Sequence, residues 1–170
     1  MAMTDKQISE VIQNMVILHD TREQKNQHIL DFFDENTIIH EKEKLRTADY
    51  SFYLPAYPDL GIDRKILVER KGSLNEIAGN FTKDRGRFIR EFERVNEEEH
   101  IHMVIENATW KKILNGSYRG EFNPNSFMAS LLTVNMRYGC PIWFTTPDES
   151  PIIIYSILKY ELREFLKKIS

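Results

Sequence analysis

The chain has 170 residues, of which 41% are apolar and 29% are charged, and its aromatic residues include 10 Phe and 7 Tyr. This length and composition exclude wholesale disorder and predict one folded domain over residues 1–170. We expect neither a membrane span, which needs about 18 consecutive apolar residues, nor a secretory signal. The net charge of −3 leaves nucleic-acid binding open, because a local cluster of cations matters more than the total.

The cysteine content restricts which disulfides and metal sites the chain can form. The single cysteine, Cys140, cannot form an internal disulfide or a multi-cysteine zinc site. This usage fits a reducing cytosol, and we expect a soluble protein inside the cell.

The predicted elements alternate between strands and helices. In the first half of the chain they are a strand at 15–18, a helix over about 23–33, and strands at 37–40, 48–54 and 65–71. The second half begins with a helix at Ser73, where the spacing to Glu76 is that of a capping box. Then follow a helix over about 84–96, a strand at 101–106, helices at 108–114 and 123–138, a strand at 141–145 and a last helix to about Lys168. This order favours an α/β fold with a central mixed β-sheet flanked by helices.

Acidic residues lie at the ends of three predicted strands: Asp20 with Glu23, then Asp49, then Glu69. Side chains two residues apart on a strand point to the same face, so Glu69 and Lys71 share one face. With Asp49 they offer two carboxylates to Mg²⁺, which prefers oxygen ligands and retains several waters. The group predicts metal-assisted phosphodiester hydrolysis, in which Lys71 orients the attacking water or offsets negative charge in the transition state.

Each acidic cluster, taken alone, also has a structural explanation. A Glu-Arg-Lys triplet arises readily at the solvated end of a strand in a chain with this much charge. The segment Asp20-Thr21-Arg22-Glu23 could be only a helix start, with an acceptor that caps open N–H groups and an acid at the positive end of the helix dipole.

Five motifs, taken in their order along the chain, favour the functional interpretation of these clusters over the structural one. They are Asp20-Thr21-Arg22-Glu23, Ala48-Asp49-Tyr50, Val68-Glu69-Arg70-Lys71, Arg85-Gly86-Arg87-Phe88 and Val104-Ile105-Glu106. Together they resemble the XPF-type (ERCC4-like) nuclease domain of the PD-(D/E)XK restriction-endonuclease-like group, in its stand-alone microbial or viral form. The resemblance covers a motif core of about 15–106, and the helix-strand-helix segment 123–170 looks like the end of those stand-alone members.

The resemblance implies a restriction-endonuclease-like fold and a Mg²⁺-dependent DNA endonuclease, with Mn²⁺ as a possible substitute. It implies action on branched or flapped DNA in replication, recombination or repair. The expected compartment is the cytoplasm, in association with the nucleoid or in a host cell if the source is viral. The alternative is a catalytically silent nuclease fold that binds DNA or pairs with an active partner.

The resemblance also implies roles for individual residues. Asp49 and Glu69 match the metal-binding acids, and Lys71 matches the catalytic lysine. Asp20, a further candidate metal ligand, and Glu23 match an acidic pair with a metal-binding or supporting role. Two arginines that lie near the site in the family are expected to contact phosphate or brace the acids: Arg22 and Arg70.

Two positions depart from the family pattern. Ala48 replaces the usual glycine before Asp49, a mild change if the backbone there does not have a positive φ. Asn75 stands where the family often has an aspartate, with Glu76 next to it, so the role of this helix position is open.

The segment 81–94 is locally basic, with five cations against three acids in an otherwise acidic chain. Its cations predict contacts with DNA phosphates, which suit arginine geometry. The alternative is the solvated face of an amphipathic helix. The candidates are Lys83, Arg85, Arg87, Arg90 and Arg94, with Lys111, Lys112 and Arg119 as an extension.

The C-terminal helix carries more apolar residues than one buried face needs. Part of this surface should pack on the sheet, and the remainder could bury a second copy of the chain, which predicts a homodimer.

Overall fold

The computed structural model describes residues 3–169. The strands within that range are β1 (Val16–Asp20), β2 (His40–Glu43), β3 (Tyr50–Tyr53), β4 (Ile66–Lys71), β5 (His100–Glu106) and β6 (Ile142–Thr145). The α-helices are α1 (Asp5–Gln13), α2 (Gln27–Glu35), α3 (Leu74–Thr82), α4 (Arg85–Glu93), α5 (Trp110–Leu114), α6 (Pro124–Tyr138) and α7 (Ser150–Lys168).

The strands form a mixed sheet in the order β2-β1-β3-β4-β5-β6. β1 pairs in parallel with β2 and antiparallel with β3, so that Ile17 lies opposite both His40 and Phe52. β5 pairs in parallel with β6, and Met103 lies opposite Ile142. Helices flank this sheet, which confirms the predicted α/β class.

The chain divides into two compact units. The first runs to Val68 and resumes at Pro151, and the second is Glu69–Ser150. The division falls within β4, so Glu69 and Lys71 belong to the second unit. One domain over residues 1–170 stays a prediction.

Two elements of the first unit begin later in the chain than predicted, because of the local backbone geometry. The helix predicted from about residue 23 begins at Gln27, after a turn in which Lys25 has a φ of 58°. The strand predicted at 37–40 begins at His40, since Thr37 has a φ of 57° and cannot be part of a strand. An additional helix, α1, is capped by a box in which Thr4 accepts from the Gln7 N–H and the Gln7 side chain accepts from Thr4.

In the second unit, the predicted start of α3 and both predicted ends of α6 are confirmed. Ser73 Oγ accepts from the Glu76 N–H and caps α3, and Asn123 caps α6 in the same way through the Ser126 N–H. Gly139 ends α6 with a φ of 59°, a conformation that glycine adopts without a Cβ penalty. α4 is shorter than predicted and ends at Glu93.

None of the helices within residues 3–169 could span a membrane, since each is too short or too polar.

Candidate active site

Glu69 and Lys71 meet on one face of β4. The Lys71 Nζ donates a hydrogen bond of 2.7 Å to Glu69 Oε1, and the two side chains are 9% and 8% exposed. Alternation of side chains along a strand brings them together, as the sequence predicts. A charge pair this far from water interacts more strongly than one on the surface, because solvent screens it less.

Two residues of the neighbouring helices also lie close to the Lys71 ammonium group. Its Nζ lies 5.0 Å from the centre of the Phe88 ring, which is buried, and 3.8 Å from Glu76 Oε1. Glu76 lies in the first turn of α3, where the Ser73 side chain caps the helix and Glu76 Oε2 accepts from the Gly72 N–H. The ammonium group is thus held between an aromatic face and two carboxylates.

Asp49 lies in the first unit, directly before β3, and is half-buried. Its main chain is held on both sides: its N–H donates to the Val68 carbonyl (3.0 Å), and its carbonyl accepts from the Asp20 N–H (2.8 Å). Val68 is the residue before Glu69 in the chain. The convergence of Asp49 with Glu69 and Lys71 stays a prediction.

Ala48 has a φ of 63°, so the condition under which its replacement of glycine is mild does not hold. A residue with a Cβ pays about 1–2 kcal/mol in this left-handed region. The residue is also buried. The turn that precedes Asp49 is therefore strained.

Asp20 accepts hydrogen bonds from two separate segments. Its Oδ1 accepts from the Arg22 N–H (2.8 Å) and Nε (2.6 Å), and its Oδ2 accepts from the Leu45 N–H (2.7 Å) and an Arg22 terminal nitrogen (3.1 Å). Burial opposes ionisation of this carboxyl, but the hydrogen bonds from Arg22 and Leu45 outweigh it and lower the pKa of Asp20. Asp20 therefore joins the loop after β1 to the loop after β2, which is a supporting role.

Glu23 lies in the turn that follows β1. Its N–H donates to the Asp20 carbonyl (3.1 Å), and its side chain is half-buried. A metal-binding role for Glu23 or Asp20 stays a prediction.

The residues present are compatible with a magnesium ion. Within residues 3–169, no group of three or more His, Cys, Asp or Glu side chains is placed to hold a metal. Mg²⁺ is commonly held by one or two carboxylates and otherwise by waters and substrate oxygens. Glu69, whose Oε1 is engaged by Lys71, is a carboxylate of the kind that this ion uses. A metal site shared by Glu69 and Asp49 stays a prediction.

Comparison with known proteins identifies the family. Residues 19–157 match the ERCC4 domain. The chain belongs to the ERCC4 domain family. No curated protein matches it significantly.

Two solved structures share the fold of this ERCC4 domain. The first is XPF from Aeropyrum pernix, with a TM-score of 0.61 and 19% identity over 86% of this chain and 61% of that chain. The second is XPF from Aeropyrum pernix in complex with DNA, with a TM-score of 0.64 and 18% identity over 88% and 66% of the two chains. This ERCC4 domain therefore spans somewhat less than two thirds of the length of these structures.

Arg70 points away from the Glu69 face and is buried. Its Nε and a terminal nitrogen donate to the two oxygens of Glu106 at 2.8 and 2.9 Å, and Ser150 Oγ donates to Glu106 Oε1 at 2.6 Å. A guanidinium that is 7% exposed and bound to both oxygens of a carboxylate braces β4 against β5. Its position gives no support to the expected contact with DNA.

The other basic candidates lie on the surface. Arg22 is 60% exposed while bound to Asp20, so it both braces this acid and faces solvent. Arg85 approaches Ser130 Oγ (3.3 Å) and the Phe81 ring (5.8 Å). The exposed cations at the end of α3 and along α4 are Lys83, Arg85, Arg87, Arg90 and Arg94. Their contact with DNA stays a prediction.

Three participants in these contacts were not assigned from the sequence. Phe88 is part of the Arg85-Gly86-Arg87-Phe88 motif, but only the structure shows its ring beside Lys71. The Leu45 N–H and Ser150 Oγ carry no local signal, because their partners, Asp20 and Glu106, are 25 and 44 residues away.

Proposed function

We propose that this ERCC4 domain is a Mg²⁺-dependent endonuclease that hydrolyses DNA, and that Mn²⁺ substitutes for Mg²⁺. The observation that carries the proposal is the buried contact between Lys71 Nζ and Glu69 Oε1. A cation and a carboxylate on one strand face supply the groups that metal-assisted hydrolysis needs. DNA as the substrate is supported by the similar XPF fold that was solved in complex with DNA.

Glu69 and Asp49 would hold the metal ion. When bound, the ion supplies polarisation of a phosphoryl oxygen and a lower pKa for a coordinated water. The hydrogen bond from Lys71 holds the Glu69 carboxylate in one orientation. The backbone bonds of Asp49 to Val68 and Asp20 hold its Cα in place, and this support is strong because the Asp20 carboxylate is itself tied to Arg22 and Leu45.

Lys71 would act on the phosphate as well as on Glu69. An ammonium group carries three N–H donors and a full positive charge, which suit it to contact a phosphoryl oxygen or the attacking water. Negative charge grows on the phosphoryl oxygens in the transition state, and a positioned cation offsets it. The Phe88 ring limits the movement of the ammonium, which preorganises it for this task.

The exposed cations of α4 would bind the DNA backbone. Arginine forms two parallel hydrogen bonds to a phosphate, and such contacts position DNA without reading its sequence. We propose that the DNA is branched or flapped and that the reaction serves replication, recombination or repair, as the family resemblance implies.

The proposal is tested with the variants Lys71→Met and Glu69→Gln. Methionine retains the length of the lysine stem without its charge, and glutamine retains the shape of the carboxylate. Cleavage of labelled branched and duplex DNA with Mg²⁺ should fall by about 100-fold or more in each variant. EDTA should abolish cleavage by the wild type, and Mn²⁺ should restore it.

The matched control is Lys6→Ala, which removes an exposed cation in the first turn of α1. It should cut like the wild type, and circular dichroism should show that all variants are folded. Cleavage by Lys71→Met at the wild-type rate would refute the proposal. DNA binding without cleavage in either metal would support a catalytically silent fold instead.

A further inference from the structure

The second unit carries an open pocket of about 630 Å³ beside α3. One wall is the helix around Gly79, and the opposite wall is the loop of residues 119–122. A Cβ placed on Gly79 would meet no atom within 4 Å, so the space beside the helix is open. The volume lies within the range of about 300–1,000 Å³ that is typical of small-molecule sites.

The walls combine positive charge with an aromatic ring. Lys83 and Arg119 line the pocket and are exposed, and Glu121 is the acid among the lining residues. Two cations against one acid favour an anionic ligand. Phe122 adds an apolar surface against which a planar group could stack.

Both features are held in place by contacts with neighbouring residues, of which Asn75 itself lines the pocket. The Phe122 ring stacks on Phe127 at 5.1 Å, and its carbonyl accepts a hydrogen bond of 2.7 Å from the Tyr118 hydroxyl. The Arg119 N–H donates to Asn75 Oδ1 at 2.7 Å, which ties the loop to the first turn of α3. Arg119 makes this bond through its main chain, so a variant with a shorter side chain at this position can still form it.

We propose that this pocket holds one nucleotide of a single DNA strand, with the phosphate at Lys83 and Arg119 and the base against Phe122. The inference rests on the proposed function, in which DNA is the substrate. Bases in a duplex are stacked and paired, whereas those of a single strand are available to an aromatic side chain. The pocket would therefore select DNA that has a single-stranded segment beside the cleavage site.

This assignment gives a reason for Asn75 at a position where an aspartate is usual in the family. The amide oxygen of Asn75 accepts from the Arg119 N–H, as a carboxylate would, but it adds no negative charge beside the pocket. The variant Asn75→Asp retains the acceptor and adds the charge. It should weaken binding of a single strand while the loop stays tied to α3.

The experiment measures binding of fluorescent oligothymidylate to the full chain with EDTA present, so that binding is read without cleavage. Gly79→Leu should narrow the pocket and weaken the binding of oligothymidylate, and leucine is a better helix former than glycine, so the fold is retained. Phe122→Leu should weaken binding about fivefold or more. Arg119→Ala should also weaken it, and Glu121→Gln should strengthen it.

An abasic oligomer of the same length separates the base from the phosphate. Removing the bases should weaken binding to the wild type, and Phe122→Leu should cause no further loss with this probe. Lys6→Ala is the control for a loss of one positive charge. Equal binding of oligothymidylate by the wild type and Gly79→Leu would overturn the inference.

The failures of the two proposals are distinguishable. If Gly79→Leu and Arg119→Ala cut flapped DNA with an unchanged KM and kcat, the pocket has no role and the nuclease proposal stands. If oligothymidylate binds as described but no DNA is cut with any metal, the pocket stands and the nuclease proposal fails. With both correct, Gly79→Leu raises KM for flapped DNA and leaves the cleavage of plain duplex unchanged.

Discussion

Asp20 stabilises the turn after β1 through its ionised carboxylate. Arg22 and Leu45 donate to it, and although burial opposes ionisation, these hydrogen bonds lower its pKa from the ordinary value of 3.8. A carboxyl whose pKa is lower in the folded than in the unfolded chain stabilises the fold above the unfolded pKa. This contribution is lost as the pH falls through the lower, folded value.

The corresponding prediction concerns Asp20→Asn. At pH 7 its free energy of unfolding should be about 1.5 kcal/mol lower, near the small end for hydrogen bonds to a charged group, because Arg22 is exposed to solvent. Below the ordinary pKa of 3.8 the difference from the wild type should shrink. Urea unfolding at a series of pH values measures both effects.

The matched control for Asp20 is Glu43→Gln. The hydrogen bond from Arg64 lowers the pKa of Glu43, but both side chains are partly exposed, so solvent weakens this pair. Its replacement should change stability at pH 7 much less than Asp20→Asn does. A loss as large as that of Asp20→Asn would show that burial is not what makes Asp20 important.

At the scale of elements, β4 presents different chemistry on its two faces. Glu69 and Lys71 meet on one face, and Arg70, between them in sequence, is bound to Glu106 at the end of β5. Ser150 also donates to Glu106, so both oxygens of this carboxylate are used. The Arg70–Glu106 pair thus holds the strand whose other face carries the candidate catalytic residues.

We predict that Glu106→Gln lowers the free energy of unfolding by about 3–5 kcal/mol, because it removes one charge of a buried and doubly hydrogen-bonded ion pair. The double variant Arg70→Met/Glu106→Leu removes both charges and should recover most of that loss. Ser150→Ala should cost about 1 kcal/mol, since it removes one neutral donor. Chemical denaturation measures all three, and a Glu106→Gln variant as stable as the wild type would contradict the bracing role.

At the scale of the whole molecule, the proposed homodimer would bury large apolar side chains that a single chain leaves exposed. Several large apolar residues of α7 are buried, among them Ile154, Leu158 and Leu162, whereas Ile152 is 43% exposed. On α6, Leu132 is 36% and Met136 is 77% exposed. They are four residues apart and share one helix face, and we propose that this face contacts a second copy.

The prediction is that Met136→Glu shifts the chain to a monomer, because it places a charge in an apolar interface. Sedimentation equilibrium or light scattering measures the mass. Tyr160→Glu on α7, where the side chain is 55% exposed, is the matched control and should leave the dimer intact. If the dimer survives Met136→Glu but not Tyr160→Glu, the interface lies on α7 and not on α6.

Local signals in the sequence determined much of the fold. Ser73 and Asn123 cap helices as short polar acceptors do, and Gly139 ends α6, because each of these effects depends only on neighbouring residues. The contact of Lys71 with Glu69 follows in the same way from the two-residue period of a strand. The first helix, α1, is not among the predicted elements, although its Thr4–Gln7 capping box is a local signal.

Only the tertiary structure decided which distant groups meet. It pairs Arg70 with Glu106 across 36 residues, and it ties Arg119 to Asn75 across 44. It also sets the positive φ of Ala48, which depends on the turn that joins β2 to β3. A charged or polar side chain can satisfy its hydrogen bonds with many partners, and the choice among them is made when packing removes water and leaves one partner within reach.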